Sequence, residues 1–135
     1  MSVLVETSAW VEFFRATGSA VHKETALLAN DARRFVTCGP VRLEVAAGAR
    51  SEANLEIINS VLDLGAYTPV FPHHFDDAAA IYRQCRARGV TVRSMVDCLI
   101  AAIALENGLE LLHNDRDFDA IAAVYPLRIH PASAA

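Results

Sequence analysis

The sequence predicts an α/β fold, a three-layer α/β/α sandwich around a mainly parallel central sheet. Three observations carry that expectation. Short apolar or β-favouring stretches alternate with longer amphipathic ones from end to end, the pattern of strand–helix–strand units. Residues 92–105 are apolar around most of a helix circumference, which places a largely buried helix inside the fold. The chain of 135 residues is 53% hydrophobic and 21% charged, enough for one ordered domain with its own core.

The elements follow in order. Residues 2–5 form a short apolar stretch, expected to be a buried strand, and Thr7 and Ser8 open an amphipathic helix over 9–15 that carries Trp10, Val11, Phe13 and Phe14. A second helix spans 20–32, with Leu27 and Leu28 on its apolar side. Residues 34–38 favour a strand that Gly39 and Pro40 break, and the proline starts a helix over 41–49. The next helix covers 51–64, capped by Ser51, with Leu55, Ile58 and Leu62 on one face. A strand over 66–70 precedes a long helix over 72–88 that Gly89 closes. The central helix then runs to Asn107 and Gly108, with Met95, Leu99 and Ile103 in one row and Val96, Ile100 and Ala104 in the next. A strand over 109–113, a helix over 114–124 and a last strand over 128–130 complete a single domain of residues 1–130, and 131–135 reads as a short flexible tail.

Composition narrows the function. A net charge of −4 argues against nonspecific coating of nucleic acid, which rests on many Lys and Arg contacts to phosphate. A local basic rim remains compatible with it, and every basic residue except Lys23 is arginine, whose planar fork suits phosphate. Cys38, Cys85 and Cys98 are odd in number and sit in apolar surroundings, which suits reduced thiols in a cytoplasmic protein. The N-terminal residues lack a signal-peptide pattern, and the longest apolar run, 98–105, is far short of the roughly 18 residues that span a bilayer.

Asp97 stands where charge is expensive, at the start of the apolar central helix. Ser94 and Asp97 have the spacing of a capping box, and Arg93 is four residues away, so a helix-capping role and a chemical role are both open for Asp97. In open α/β folds ligands bind beyond the carboxyl ends of the strands. Glu6, Glu44, Asp97 and Asp115 all occupy that kind of position, although each also suits the positive end of a helix dipole. Clustered carboxylates repel one another unless a divalent cation sits among them, and oxygen ligands select Mg²⁺ or Mn²⁺. Such a site suits phosphodiester hydrolysis, since the cation neutralises phosphate charge, acidifies a water and stabilises the leaving oxygen. His73 and His74 read as solvent-exposed rather than as ligands, and Asp76 and Asp77 as a solvated helix start. Thr7 and Ser8 lack a nearby histidine, and the chain has no glycine-rich phosphate loop.

Four segments carry a family resemblance: 4–10 around Glu6, 41–44 ending in Glu44, 93–102 around Asp97, and 113–118 with His113, Asn114, Asp115 and Asp117. Together they make the chain resemble PIN-domain proteins, and within them the VapC-like toxins of bacterial toxin–antitoxin pairs. The resemblance implies a Mg²⁺-dependent endoribonuclease, with Mn²⁺ as a possible substitute. Its catalytic acids are Glu6, Glu44, Asp97 and Asp115, of which Glu6, Asp97 and Asp115 hold metal, with Asp117 as an outer helper. Thr7, Ser8 and Asn114 match polar positions of the family's substrate site. The implied substrates are structured RNAs, transfer RNA or ribosomal RNA, and the implied partners are a second copy in a homodimer and a cognate antitoxin.

The family has aspartate where this chain has Glu6. The extra methylene is expected to weaken metal-dependent activity, because catalysis is sensitive to displacements on the order of 1 Å. An impaired module that acts mainly by binding its antitoxin is the alternative. A phosphoacceptor receiver domain is disfavoured, because the lysine it needs near its later strands is absent: Lys23 is the only lysine.

Overall fold

Residues 2–134 are described by a computed structural model in which the short apolar stretches line up side by side. Strands β1 (Val3–Val5), β2 (Phe35–Cys38), β3 (Ala66–Thr68), β4 (Glu110–Leu112) and β5 (Arg128–Ile129) form one sheet in the order β3-β2-β1-β4-β5. Every pairing is parallel, with Leu4 opposite Val36 on one side and Leu111 on the other. Parallel strands require crossovers, and helices supply them: α1 (Thr7–Phe14), α2 (Ala20–Ala29), α3 (Gly39–Ala47), α4 (Glu52–Leu62), α5 (Pro72–Ala87), α6 (Met95–Asn107) and α7 (Arg116–Ala122). All three residues of β1 are buried, as a central parallel strand must be when both faces are covered.

The strand order matters for function. From β1 the chain builds outward through β2 to β3, then returns through α5 and α6 to start again on the far side of β1. The direction reverses between β1 and β4, and the crevice beyond their carboxyl ends is where such sheets bind ligands. Glu6 directly follows β1, and Asp115 lies three residues beyond β4.

The expected central helix is present as α6, buried from Asp97 through Ala104 and closed by Gly108, whose φ of +62° is a left-handed cap. Met95 departs from the expectation: it lies in the first turn and is exposed. Strand β3 stops at Thr68 because Pro69 has no N–H to extend the ladder. The segment 131–134, expected as part of a flexible tail, is instead tied to β4. His113 N–H donates to Ser133 Oγ at 3.1 Å, Ser133 Oγ donates to the Leu111 carbonyl, and Ala134 N–H donates to the His113 carbonyl at 3.0 Å. These bonds give the His113 N–H and carbonyl their partners beyond the end of β5. Ala135 lies outside the described residues.

Packing fixes α1 on the sheet. Trp10 is fully buried and meets Phe35 edge-on with ring centres 5.6 Å apart, beside Phe13 and Phe14. Gly65 leaves room for that Phe35 ring, since a Cβ added there would fall within 2.7 Å of Phe35 Cδ2. Gly65→Ala is therefore expected to destabilise the fold by about 1–3 kcal/mol through overpacking, read as an earlier urea midpoint with unchanged slope. An unchanged midpoint would show that the ring moves aside freely.

Candidate active site

Each acid reaches the crevice by a different local device. Glu6 leaves β1 in extended conformation and caps α1, its Oε2 accepting the Ser8 N–H at 2.8 Å and the Ser8 hydroxyl. Ser8 Oγ also accepts the Asn114 N–H at 2.7 Å, which joins the loop after β1 to the loop after β4. Thr7 donates its hydroxyl to Glu44 Oε1 at 2.6 Å and so draws the side chain from α3 toward α1. Asp115 caps α7 by accepting the Asp117 N–H at 3.0 Å, while its own N–H donates to His113 Nδ1 at 2.9 Å. His113 is fully buried, and that burial lowers its pKa.

Asp97 does not behave as a cap. Ser94 makes no side-chain bond to the helix start, so the expected capping box is absent. Arg93 does not pair with Asp97 either. It turns to Asp117, through its N–H and Nε at 3.1 Å each, and to Asp115 through Nη2 at 3.2 Å. Asp97 is 4% exposed, and its Oδ2 is buried without a hydrogen-bond donor. One oxygen each from Asp97, Asp115 and Asp117 lies within 4.8 Å of the others. Glu6 and Glu44 line the same open cavity together with Thr7, Ser8 and Asn114.

Proximity and burial leave their mark on the acids. Asp97 is pushed up to about 8, first by burial and then by Glu6, Asp115, Asp117 and Glu44. Glu6 is raised to about 7, again by burial first, with the Ser8 hydrogen bonds holding it down and Glu44 and Asp115 adding repulsion. An orphaned buried acceptor ringed by carboxylates is what a hard divalent cation satisfies, so the residues present fit one.

A pH dependence follows. Carboxyls with raised pKa values bind more protons in the folded than in the unfolded state, so metal-free stability falls as pH climbs from about 4 through 8. Thermal melts with chelator should show a lower midpoint at pH 8 than at pH 5, and saturating Mg²⁺ should recover most of the loss at pH 8. A Mg²⁺-independent profile would leave these acids without a cation.

The sequence-predicted acids Glu6, Glu44, Asp97 and Asp115 thus converge, while Thr7 and Ser8 use their hydroxyls to hold Glu44 and Glu6. Arg93 was missed as a member of this network, because its partners lie 22 and 24 residues away and no local pattern announces them. His73 is exposed as expected, but His74 is a correction. His74 is fully buried, accepts the Phe71 N–H on Nδ1 at 2.9 Å, and with His73 faces Glu106 of α6. With Nδ1 accepting, His74 turns Nε2 to Glu106, and the pair closes α5 onto α6 through that carboxylate, whose pKa the histidines lower.

A family profile described as PIN domain matches residues 3–124. The chain belongs to the PIN-domain family. Curated relatives of this PIN domain include VapC ribonuclease Mb1587 of Mycobacterium bovis and ribonuclease VapC11 of Mycobacterium tuberculosis. Each is 42% identical over 131 residues, covering 93% of this chain and 96% of the relative. The PIN fold recurs in the DNA-bound VapBC of Salmonella typhimurium, with a TM-score of 0.77 at 18% identity over 96% of this chain and 97% of that one. It recurs as well in VapC20 of Mycobacterium tuberculosis, described as a sarcin–ricin loop cleaving toxin, with a TM-score of 0.69 at 20% identity over 88% and 94% of the two chains. The resemblance read from the four acid-bearing segments is borne out.

Proposed function

We propose that this PIN domain is a metal-dependent endoribonuclease, the toxin of a toxin–antitoxin pair. The observation that carries the reading is the donorless Asp97 Oδ2, buried among Asp115, Asp117, Glu6 and Glu44 at the crevice between β1 and β4. The names of the 42%-identical relatives supply the substrate class, RNA. Asp97 and Asp115 would hold a Mg²⁺ ion, with Mn²⁺ as a substitute, and Glu6 is the third candidate ligand. Bound there, the ion supplies charge neutralisation for the phosphodiester and an acidified water. Glu44, fixed by Thr7 through one oxygen, would keep the other to accept a proton from an attacking water. Thr7, Ser8 and Asn114 shape the wall against which the substrate lies.

The same reading assigns structured RNA, transfer or ribosomal, as substrate, a homodimer as the working state, and an antitoxin that covers the acidic cavity. Its setting is the cytoplasm, and no helix among the described residues is long and apolar enough to cross a membrane. The test is incubation of the full chain with total cellular RNA in Mg²⁺, in Mn²⁺ and in chelator. Discrete fragments with either metal and none with chelator are the expected result. Intact RNA under every metal condition, from a folded chain that still captures an antitoxin, would replace the enzyme by the binding module.

A further inference from the structure

The geometry points to Arg93 as a catalytic residue of this site, a guanidinium clamp for the scissile phosphate with Asp117 as its anchor. The inference rests on the ribonuclease reading and extends it to a group that the four acids do not include.

A cavity lined by Glu6, Glu44, Asp97, Asp115 and Asp117 repels the phosphodiester it would cleave, and a single divalent ion offsets only part of that charge. Among the described residues, Arg15 and Arg93 are the cations lining this cavity, and Arg93 is the one hydrogen-bonded into the acids. Asp117 is 4% exposed, and both of its oxygens are engaged by Arg93, Oδ1 by Nε and Oδ2 by the backbone N–H. The Nε contact to Asp117 and the Nη2 contact to Asp115 together fix the guanidinium plane, and the backbone contact holds Asp117 in place as its anchor. A guanidinium has five N–H donors. Nε serves Asp117 and one Nη2 hydrogen serves Asp115, which leaves both Nη1 hydrogens and the second Nη2 hydrogen without a protein acceptor among the described residues.

Those free donors are in reach of ligand, since the Arg93 side chain is 57% exposed at the mouth of the cavity. Two adjacent N–H groups in a planar fork match two oxygens of a phosphate, a geometry that an ammonium does not reproduce. The contact with Asp115 places the fork beside a metal-holding carboxylate, so one phosphate can meet both the metal and the guanidinium. Charge that develops on its non-bridging oxygens during cleavage then faces a preorganised cation.

The experiment compares the wild-type chain with Arg93→Ala, Arg93→Lys and Asp117→Asn. Mg²⁺ affinity and inorganic phosphate affinity are read by calorimetry, the latter with and without Mg²⁺, and RNA cleavage is split into kcat and KM. Arg93→Ala should bind Mg²⁺ at least as tightly as wild type, because a competing cation has gone. It should lose about tenfold in phosphate affinity and about 100-fold in kcat. Arg93→Lys should regain phosphate affinity but little of the rate, and Asp117→Asn should lower kcat with Mg²⁺ affinity retained. Wild-type phosphate affinity in Arg93→Ala, or full activity in Arg93→Lys, would overturn the assignment. A wild-type chain that binds no phosphate in either state would overturn it as well. Failure of the wild-type chain to bind Mg²⁺ strikes the metal reading instead, and the metal-free phosphate arm still judges Arg93.

Discussion

Asp97→Asn is expected to lower RNA cleavage by about 1,000-fold or more while making the metal-free protein more stable. The two effects share one cause. Burial and four neighbouring acids raise Asp97 from 3.8 to about 8, so ionising it at pH 7.5 is costly to the folded state. Asparagine keeps the shape and cannot ionise, which removes that cost. With solvent screening counted, the gain at pH 7.5 is about 1–3 kcal/mol, a rise of several degrees in Tm. It should shrink toward zero near pH 4, where the aspartic acid is itself neutral. Saturating Mg²⁺ should stabilise wild type and leave the variant unmoved, because the orphaned Oδ2 that calls for a cation is gone. A capping role predicts the opposite sign, a loss of about 1 kcal/mol on truncation. Thermal melts at pH 7.5 and pH 4 in chelator separate the two, and a destabilised variant that still cuts RNA would end the metal-site reading.

The acids were legible in the sequence because each sits beside a local punctuation mark. Glu6 follows an apolar stretch, Glu44 follows Gly39 and Pro40, Asp97 stands just before the longest apolar run, and Asp115 follows the strand after Gly108. Strand and helix periodicity is local, so the order of elements was readable. The pairing order β3-β2-β1-β4-β5, which places Glu6 and Asp115 on one crevice, is set by non-local contacts. The errors have the same origin. Ser94 has the spacing of a cap, yet Arg93 and Asp117 hold the segment before α6 by a bond across 24 residues. His74 looks polar and surface-bound, yet Glu106, 32 residues on, allows it to be buried. Ser133 ties down a tail whose composition alone suggests fraying.

Glu6→Asp is expected to raise both Mg²⁺ affinity and cleavage, by about 10- to 100-fold in rate. In the wild-type chain Glu6 Oε2 takes two donors from Ser8, the N–H and the hydroxyl, so the longer side chain is drawn back over the start of α1. The carboxylates close enough to share an ion are Asp97, Asp115 and Asp117, and Glu6 stands outside that group. Aspartate is among the best N-cap residues, so the shorter side chain keeps the cap with one oxygen and leaves the other for the cavity. Ionisation adds a second handle. Glu6 holds its proton to about pH 7, and a ligand must lose that proton to hold a cation, so Mg²⁺ affinity of the wild-type chain should climb between pH 6 and 8. The two proteins compared side by side, by Mg²⁺ calorimetry across that range and by cleavage of total RNA, read both effects. Equal affinities and rates would mean that Glu6 already reaches the ion through its second oxygen, and the extra methylene would then be a tolerated variation on the acid pocket.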